Sequence, residues 1–457
     1  MVTFFVAVLF AASLSLLPGP ASEIPPTPVP AGILYNVHGT ISINGNAGFN
    51  NTNFPNNGVV SGNGTASNPY VISGWNISAA SASGIQIQNT NAYFEVRDCH
   101  VYNGSLGIPT PNDGIDLYNC ANGTLSNNNC SNNVGGIYLY DSSNNTLVNN
   151  TCNSNGVYGI VLDLSSNYNT LNNNNCSNND YGIYLYDSSN GNTLINNNCS
   201  NNDYGIFLDL SSDSNTISSN TCNYNSDYGI YLYSSISNTL INNTCSNNWL
   251  GIYLYSSSYY NTLNNNNCSN NDYGIFLWSS SSNTISSNTC SNNRYGITIS
   301  ASSSNNLTDN TCNLNTQNGI RLSTSSNNVI SWNEVCNNTL QGVNITSGSN
   351  NRIWNNTFFG NNGVGVQAYD AGTNNWWNTS GSPHGYGNYW SDLTGPDDEV
   401  PYGIVDWSYN LTGTSGAKDL YPLTTPTWPI PEFSEIIIPI VGLMLIALIF
   451  GRTRKKP

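Results

Sequence analysis

Aspartates recur at matching points of segments that read alike, and these carboxylates are the first residues whose type and spacing suit chemistry. Asp163 lies in VLDLSSN and Asp209 in FLDLSSD, while Asp141 and Asp187 each follow IYLY. If such segments stack as rungs, Asp163 and Asp209 stand two rungs or ~10 Å apart. An inverting glycosidase needs its acid and base ~6.5–9.5 Å apart. A polysaccharide lyase or glycoside hydrolase also wants a His, Lys or Arg beside its carboxylates. No Lys occurs in the repeats, the following Arg is Arg294, far along the rod, and Tyr186 falls between Asp163 and Asp209. Asp113 and Asp116 lack a basic partner too. The competing reading is that these acids are solvated side chains that discourage end-to-end stacking. No complete catalytic set is assigned, and an enzyme stands as the alternative.

Cysteine is the second candidate chemistry. Twelve Cys occur, and nine (Cys130, Cys152, Cys176, Cys199, Cys222, Cys245, Cys268, Cys290 and Cys312) share one point of the repeat. Cys336 falls one residue out of step and Val335 takes its place. A slot that accepts Val is an apolar slot, and Cys packs well as a small buried hydrophobe. Stacked Cα atoms at ~4.8 Å also lie within disulfide range. Buried thiols, disulfides between coils and a metal array are the three readings, and Val335 favours the first.

The third candidate is an aromatic face. Two residues after a recurring Gly stand Tyr138, Tyr184, Phe207, Tyr231, Tyr253 and Phe276; four after it stand Tyr140, Tyr186, Tyr233, Tyr255 and Trp278. Tyr158, Tyr181, Tyr204, Tyr228, Tyr273 and Tyr295 directly precede the Gly. Aromatic faces suit sugar rings, and a large exposed patch marks an interaction site. Cross-strand stacking for stability is the other reading. The candidate ligand-binding residues are Tyr184, Tyr186, Phe207, Tyr231, Tyr233, Tyr253, Tyr255, Phe276 and Trp278.

All three candidates depend on the repeat that positions them. Alignment on the Gly-Ile step places starts at Gly84, Gly114, Gly136, Gly159, Gly182, Gly205, Gly229, Gly251, Gly274, Gly296, Gly319, Gly342 and Gly365, spaced 22 to 24 residues apart after the first interval. Such a period means a solenoid. In Gly182-Ile183-Tyr184-Leu185-Tyr186 the alternation has period two, which makes a strand with Ile and Leu on one side. A second short strand covers Asn192 to Ile195 and a third centres on Cys199. No helical period occurs, and the consensus of leucine-rich repeats is absent. The expected fold is all-β: a right-handed single-stranded parallel β-helix over 84–372, about thirteen coils and roughly 60 Å long. Two residues before the repeat Cys stands Asn in nine coils, Asn128 to Asn310, read as an asparagine ladder at a bend.

Composition bounds the partners. Only 7% of the 457 residues are charged and the net charge is −16, which excludes a nucleic-acid ligand that needs a basic stripe. Regular Ile, Leu and Tyr exclude disorder over the repeats. Residues 4–17 form an apolar run, so 1–22 reads as a signal peptide, although without a basic n-region. An N-terminal cap segment follows over 23–83, a C-terminal cap over 373–425 and a Pro-rich linker over 426–435. Residues 436–451 read as a membrane span and 452–457 as a basic cytoplasmic tail. Eighteen Asn-x-Ser/Thr sequons, among them Asn144, Asn242, Asn337 and Asn355, suit an exported glycoprotein. The chain is thus expected at the cell surface, anchored at its C-terminus.

Two resemblances add to this reading. Pro431-Glu432-Phe433, the apolar run and the basic end resemble archaeal PEF-type surface-protein tails, which implies sorting by an archaeosortase. The stretches Gly58 to Thr65 with Pro69 to Trp75, the NNxCSNN-YGIYL repeat, and Gly387-Asn388-Tyr389-Trp390-Ser391-Asp392 with Asp419-Leu420-Tyr421-Pro422-Leu423 resemble NosD-like β-helix surface proteins, also called carbohydrate-binding and sugar-hydrolase-type β-helices. That likeness implies a β-helix and carries a label of periplasmic copper binding. Copper wants His, Met or exposed Cys, whereas this chain has His38, His100 and His384, with Met only at Met1 and Met444. In relatives the closing motif carries a calcium-like Asp run, and Asp397, Asp398, Glu399 and Asp406 are the corresponding candidates. The expected function is a noncatalytic surface protein that binds glycans or envelope proteins through the aromatic face, with no cofactor.

Overall fold

The computed structural model describes residues 36–50, 57–105, 112–363, 365–379, 386–394, 396, 405 and 407–426. The expected signal peptide, PEF segment, membrane span and basic tail lie outside these residues, as do His384, Asp397, Asp398, Glu399 and Asp406. No helix of the described residues is long and apolar enough to cross a membrane.

The repeat folds as a parallel β-solenoid. One fourteen-stranded sheet starts at Ile41–Asn44, collects one strand per coil and ends at Ala368–Asp370. A second fourteen-stranded sheet runs from Val59–Ser61 to Arg352–Trp354, parallel except for the hairpin of Val59–Ser61 with Tyr70–Ser73. The third side holds short sheets only at its ends; between them single parallel bridges link Asn129, Thr151, Asn175, Asn198 and Thr221 in succession. Thirteen strands of the first sheet correspond to the expected coils, except that in the last the recurring Gly position is taken by Gln367, two residues after the expected Gly365. The additional one, Ile41–Asn44, pairs with Ile85–Gln88 across 44 residues that include the hairpin.

Four side chains per coil build the interior. Ile183 and Leu185 come from the first sheet, Leu194 from the second and Cys199 from the third side, all fully buried. The next coil supplies Ile206, Leu208, Ile217 and Cys222 in the same places. All twelve cysteines are buried and unbridged. The recurring Gly makes room for this packing: a Cβ on Gly159 would lie 2.5 Å from the Gly182 carbonyl and 2.7 Å from the Cys176 Cβ. At Gly319 the corresponding neighbour is Val335 Cγ1, which places Val335 in the Cys slot.

The expected asparagine ladder is present and longer than nine rungs. Asn220 donates Nδ2 to Leu194 O and to Asn243 Oδ1, each at 3.0 Å, while its own Oδ1 accepts the Asn197 backbone N–H at 2.9 Å. The ladder continues through Asn333 and Asn356 to Asn388. Equivalent ladders run along the other two corners, through Asn169, Asn192 and Asn215 and through Asn179, Asn202 and Asn225. A left-handed residue precedes the ladder positions of the repeating coils, as with Asn196 at φ 55 before Asn197, Ser214 at φ 56 before Asn215 and Asn201 at φ 59 before Asn202. Asn and Ser tolerate this conformation locally better than branched residues do, which accounts for much of the composition.

The closing motif plugs the far end of the core. Trp390 stacks on Tyr409 at 4.0 Å and on Phe358 at 4.5 Å. The buried Asp419 carboxylate accepts the Trp390 Nε1–H at 2.9 Å, the Asn388 N–H at 2.6 Å and the Tyr421 N–H at 3.1 Å. The conspicuous GNYWSD and DLYPL residues are therefore cap residues. Among the four sequons named above, Asn144 and Asn242 are exposed, whereas Asn355 is buried and poorly placed for a glycan.

Candidate binding face

Strand alternation turns Ile and Leu of the first sheet inward and sends the aromatic residues outward, as the sequence requires. Their ring orientations differ by column. In the middle column Tyr184 and Phe207 stack at 4.9 Å and 4°, Phe207 and Tyr231 at 4.6 Å and 5°, and Tyr231 and Tyr253 at 5.1 Å and 9°. Phe276 continues the stack at 5.3 Å from Tyr253. Each ring covers the face of the next, so the stack offers edges rather than faces to solvent; Phe207 and Tyr253 are buried. The face is therefore not one uniform platform of ring faces. Tyr181 and Tyr204 in the column beside it also stack, at 4.9 Å and 17°.

The outer column is arranged differently. Tyr233 and Tyr255 lie 5.5 Å apart with planes tilted by 41°, and Tyr255 and Trp278 lie 5.8 Å apart with a 59° tilt. Tilting stops neighbours from covering one another completely. Trp278 is 47% exposed, and Tyr140, earlier in the column, is 36% exposed. Tyr186 lies 5.4 Å from Tyr184 and tilted by 41°. The nine candidate residues thus share one face but divide into a stacked spine and an outer row of mutually tilted, partly exposed rings, in which Tyr255 also lies nearly parallel to Tyr253 at 5.6 Å and 13°.

The acids of this face serve the tyrosines. Asp163 Oδ2 accepts the Tyr138 hydroxyl at 2.6 Å and Asp209 Oδ2 accepts the Tyr184 hydroxyl at 3.0 Å, each from the preceding coil. Burial, with these hydrogen bonds, pushes both phenols above their ordinary range. Burial also raises the Asp209 carboxyl. Asp141 and Asp187 sit at left-handed corners, φ 46 and 44, instead of on the strand. The two Asp pairs are therefore not gathered with a base into a catalytic group.

Asp113 and Asp116 depart from the expectation of solvated acids: both are only 2% exposed. Asp113 Oδ2 accepts the Tyr158 hydroxyl at 2.7 Å. Desolvation pushes the Asp113 carboxyl up to about 6, and desolvation with the charge of Asp113 drives Asp116 well above its usual value. Nothing in the sequence signals this burial beyond Asp116 taking an outward strand position opposite Tyr138. Sequence reasoning also missed a cavity of about 620 Å³ near the N-terminal end, lined by Asn46, Asn50, Asn63, Tyr70, Asn91 and Tyr93.

A family model described as "Periplasmic copper-binding protein (NosD)" matches residues 108–249 and 237–395. No curated protein matches the sequence. Among solved structures, the periplasmic alginate epimerase AlgG is 16% identical, with 62% of this chain and 83% of that chain covered and a TM-score of 0.48. The A-module of the Azotobacter vinelandii mannuronan C-5 epimerase AlgE4 is 12% identical, covering 65% and 86%, with a TM-score of 0.41. The catalytic domain of a GH87 alpha-1,3-glucanase is 14% identical, covering 74% and 66%, with a TM-score of 0.39. The donors in the described residues do not fit copper. No three His, Cys, Asp or Glu side chains among them converge as a metal site, the thiols are sealed in the core, and His100 Nδ1 is hydrogen-bonded to Asn76 Oδ1 at 3.0 Å. By the two matches, which together run from residue 108 to 395 and take in more than half of the chain, this β-solenoid belongs to the NosD family.

Proposed function

We propose that this protein is a noncatalytic cell-surface β-helix that binds an extended glycan along the outer aromatic column of its first sheet. The run Tyr233, Tyr255 and Trp278 carries the reading: three rings on three successive coils, 5.5 and 5.8 Å apart and tilted against one another, ending in the exposed Trp278. That advance is close to one sugar residue of an extended chain, so each coil meets one sugar. The stacked spine behind it holds the outer rings in place. In this reading residues 1–22 direct export and 436–451 anchor the chain, which puts the face among envelope polysaccharides.

The test is a glycan array probed with the purified protein and with the Y186S/Y233S/Y255S/W278S variant. Binding by the parent and at least tenfold weaker binding by the variant, with unchanged β-sheet circular dichroism, is the expected result. Equal binding by both proteins would leave the aromatics as a stacking device alone. Incubation of bound glycans should release neither reducing ends nor unsaturated products.

A further inference from the structure

The charges around this face narrow its ligand, an inference that rests on the glycan reading above. From Asp98 to Asn293 the chain contains no Lys or Arg, yet eleven aspartates occur between Asp113 and Asn293. Their placement is not random. Asp163 and Asp209 occupy the outer aromatic column itself, between the tyrosines. Asp180, Asp203 and Asp227 occupy the corner just before Tyr181, Tyr204 and Tyr228 on three successive coils. Asp180 and Asp203 are exposed, and the charge of Asp203 contributes to raising the carboxyls of both Asp180 and Asp227. The next cation along the rod after Arg97 is Arg294, paired with Asp272 at 3.7 Å and placed 5.3 Å over the Tyr295 ring; Arg321 lies 5.7 Å from the same ring.

We propose that the ligand of this face is an uncharged polysaccharide, rich in hydroxyls and free of carboxylate, sulfate or phosphate, and that the aspartates along the track set this specificity. A polyanion with one acid per sugar would set its charges against Asp163 and Asp209 in the column and within the field of the corner acids Asp180, Asp203 and Asp227. A low-dielectric aromatic floor strengthens that repulsion relative to water. Neutral sugars meet none of it, and their hydroxyls donate to any carboxylate within reach in charge-assisted bonds.

The test compares three soluble probes on the purified protein at two ionic strengths: a neutral mixed-linkage β-glucan, polygalacturonate and a chitosan oligosaccharide. The neutral glucan is expected to bind at least tenfold more tightly than polygalacturonate, with little response to salt. The D180N/D203N/D227N variant lies outside the aromatic column and should retain fold by circular dichroism. In it the preference for glucan over polygalacturonate should fall at least threefold. Tight polygalacturonate binding that is lost in the aromatic quadruple variant would overturn the charge argument and keep the glycan face. Salt-sensitive binding of chitosan alone would replace the neutral class with a cationic one. Binding of no probe, here and on the array, would overturn the glycan reading itself.

Discussion

Replacing Asp116 by Asn should remove a pH-dependent loss of stability from the second coil. In the folded protein burial holds the Asp113 carboxyl up at about 6, against 3.8 ordinarily, and holds Asp116 higher than usual as well. The groups that face the pair are Tyr158, Tyr138, Tyr118, Cys130 and Ser83, none of them a cation. A carboxyl whose folded pKa is raised contributes stability that is full below about 3.8 and is lost as pH rises through about 6. A shift of about two units corresponds to about 3 kcal/mol at ~1.36 kcal/mol per unit, and ionisation of Asp116 adds in the same direction. The Asp116→Asn substitution removes the Asp116 ionisation and can keep a donor to Asp113, whose carboxyl stays raised by its own burial. Urea unfolding and hydrogen exchange of the Gly114–Tyr118 amides at pH 4.5 and pH 8 provide the assay. Both proteins should lose about 3 kcal/mol through Asp113 between these pH values, and the wild type should lose more than Asp116→Asn through Asp116, with the excess concentrated in these amides. Because the whole chain carries −16, the difference between the two proteins is the quantity that decides. Identical pH dependence in both, or a wild type that gains stability relative to the variant as pH rises, would refute the buried-pair argument.

Further expectations concern the core and its edges. Leu185→Asp should prevent stable folding, since an unpaired buried charge costs several kcal/mol, whereas Tyr186→Ser should leave the circular dichroism unchanged; equal damage by both would invert the inside and outside of the strand. Thiol titration should find nearly all twelve cysteines unreactive in the native protein and reactive after denaturation, because they are buried and burial pushes thiols such as Cys199 and Cys245 well above their ordinary range; mass loss from disulfides would contradict this. Asn220→Ala should destabilise by about 3 kcal/mol, because it strands the Asn197 N–H and the Leu194 carbonyl in the interior, and urea unfolding would show it.

Much of the fold was legible because in a solenoid the sequence period is itself the tertiary contact. Residues 22 to 24 apart stack, so Ile183 predicts Ile206 above it, and Val335 in a Cys slot reveals that the slot is apolar. The strand alternation at Gly182-Ile183-Tyr184-Leu185 assigned inside and outside for the same local reason. Two of the three asparagine ladders were not legible. Their ladder residues lie among many other Asn and Ser at the corners, and only the stacking shows that Asn192 is buried and meets Asn215 while Asn190 is half-buried and meets Asp213. The rung at Ile41–Asn44 was hidden because the hairpin inserted after it breaks the period.

For the candidate site, the amino acids alone determined which residues share a face and that the face is acidic and without Lys or Arg over most of its length. Tertiary structure decided what those residues offer a ligand. Whether a ring shows its face or its edge depends on its torsion and on the ring one coil away, so Tyr231 and Tyr233, two positions apart on one strand, end in different surroundings: one is inside a stack and the other is in a tilted row. Burial of Asp113 and Asp116 likewise depends on Tyr158, 45 residues from Asp113, and on Ser83 a coil below. A repeat specifies its own neighbours, but it does not specify the side-chain torsions or the parts of the chain that do not repeat.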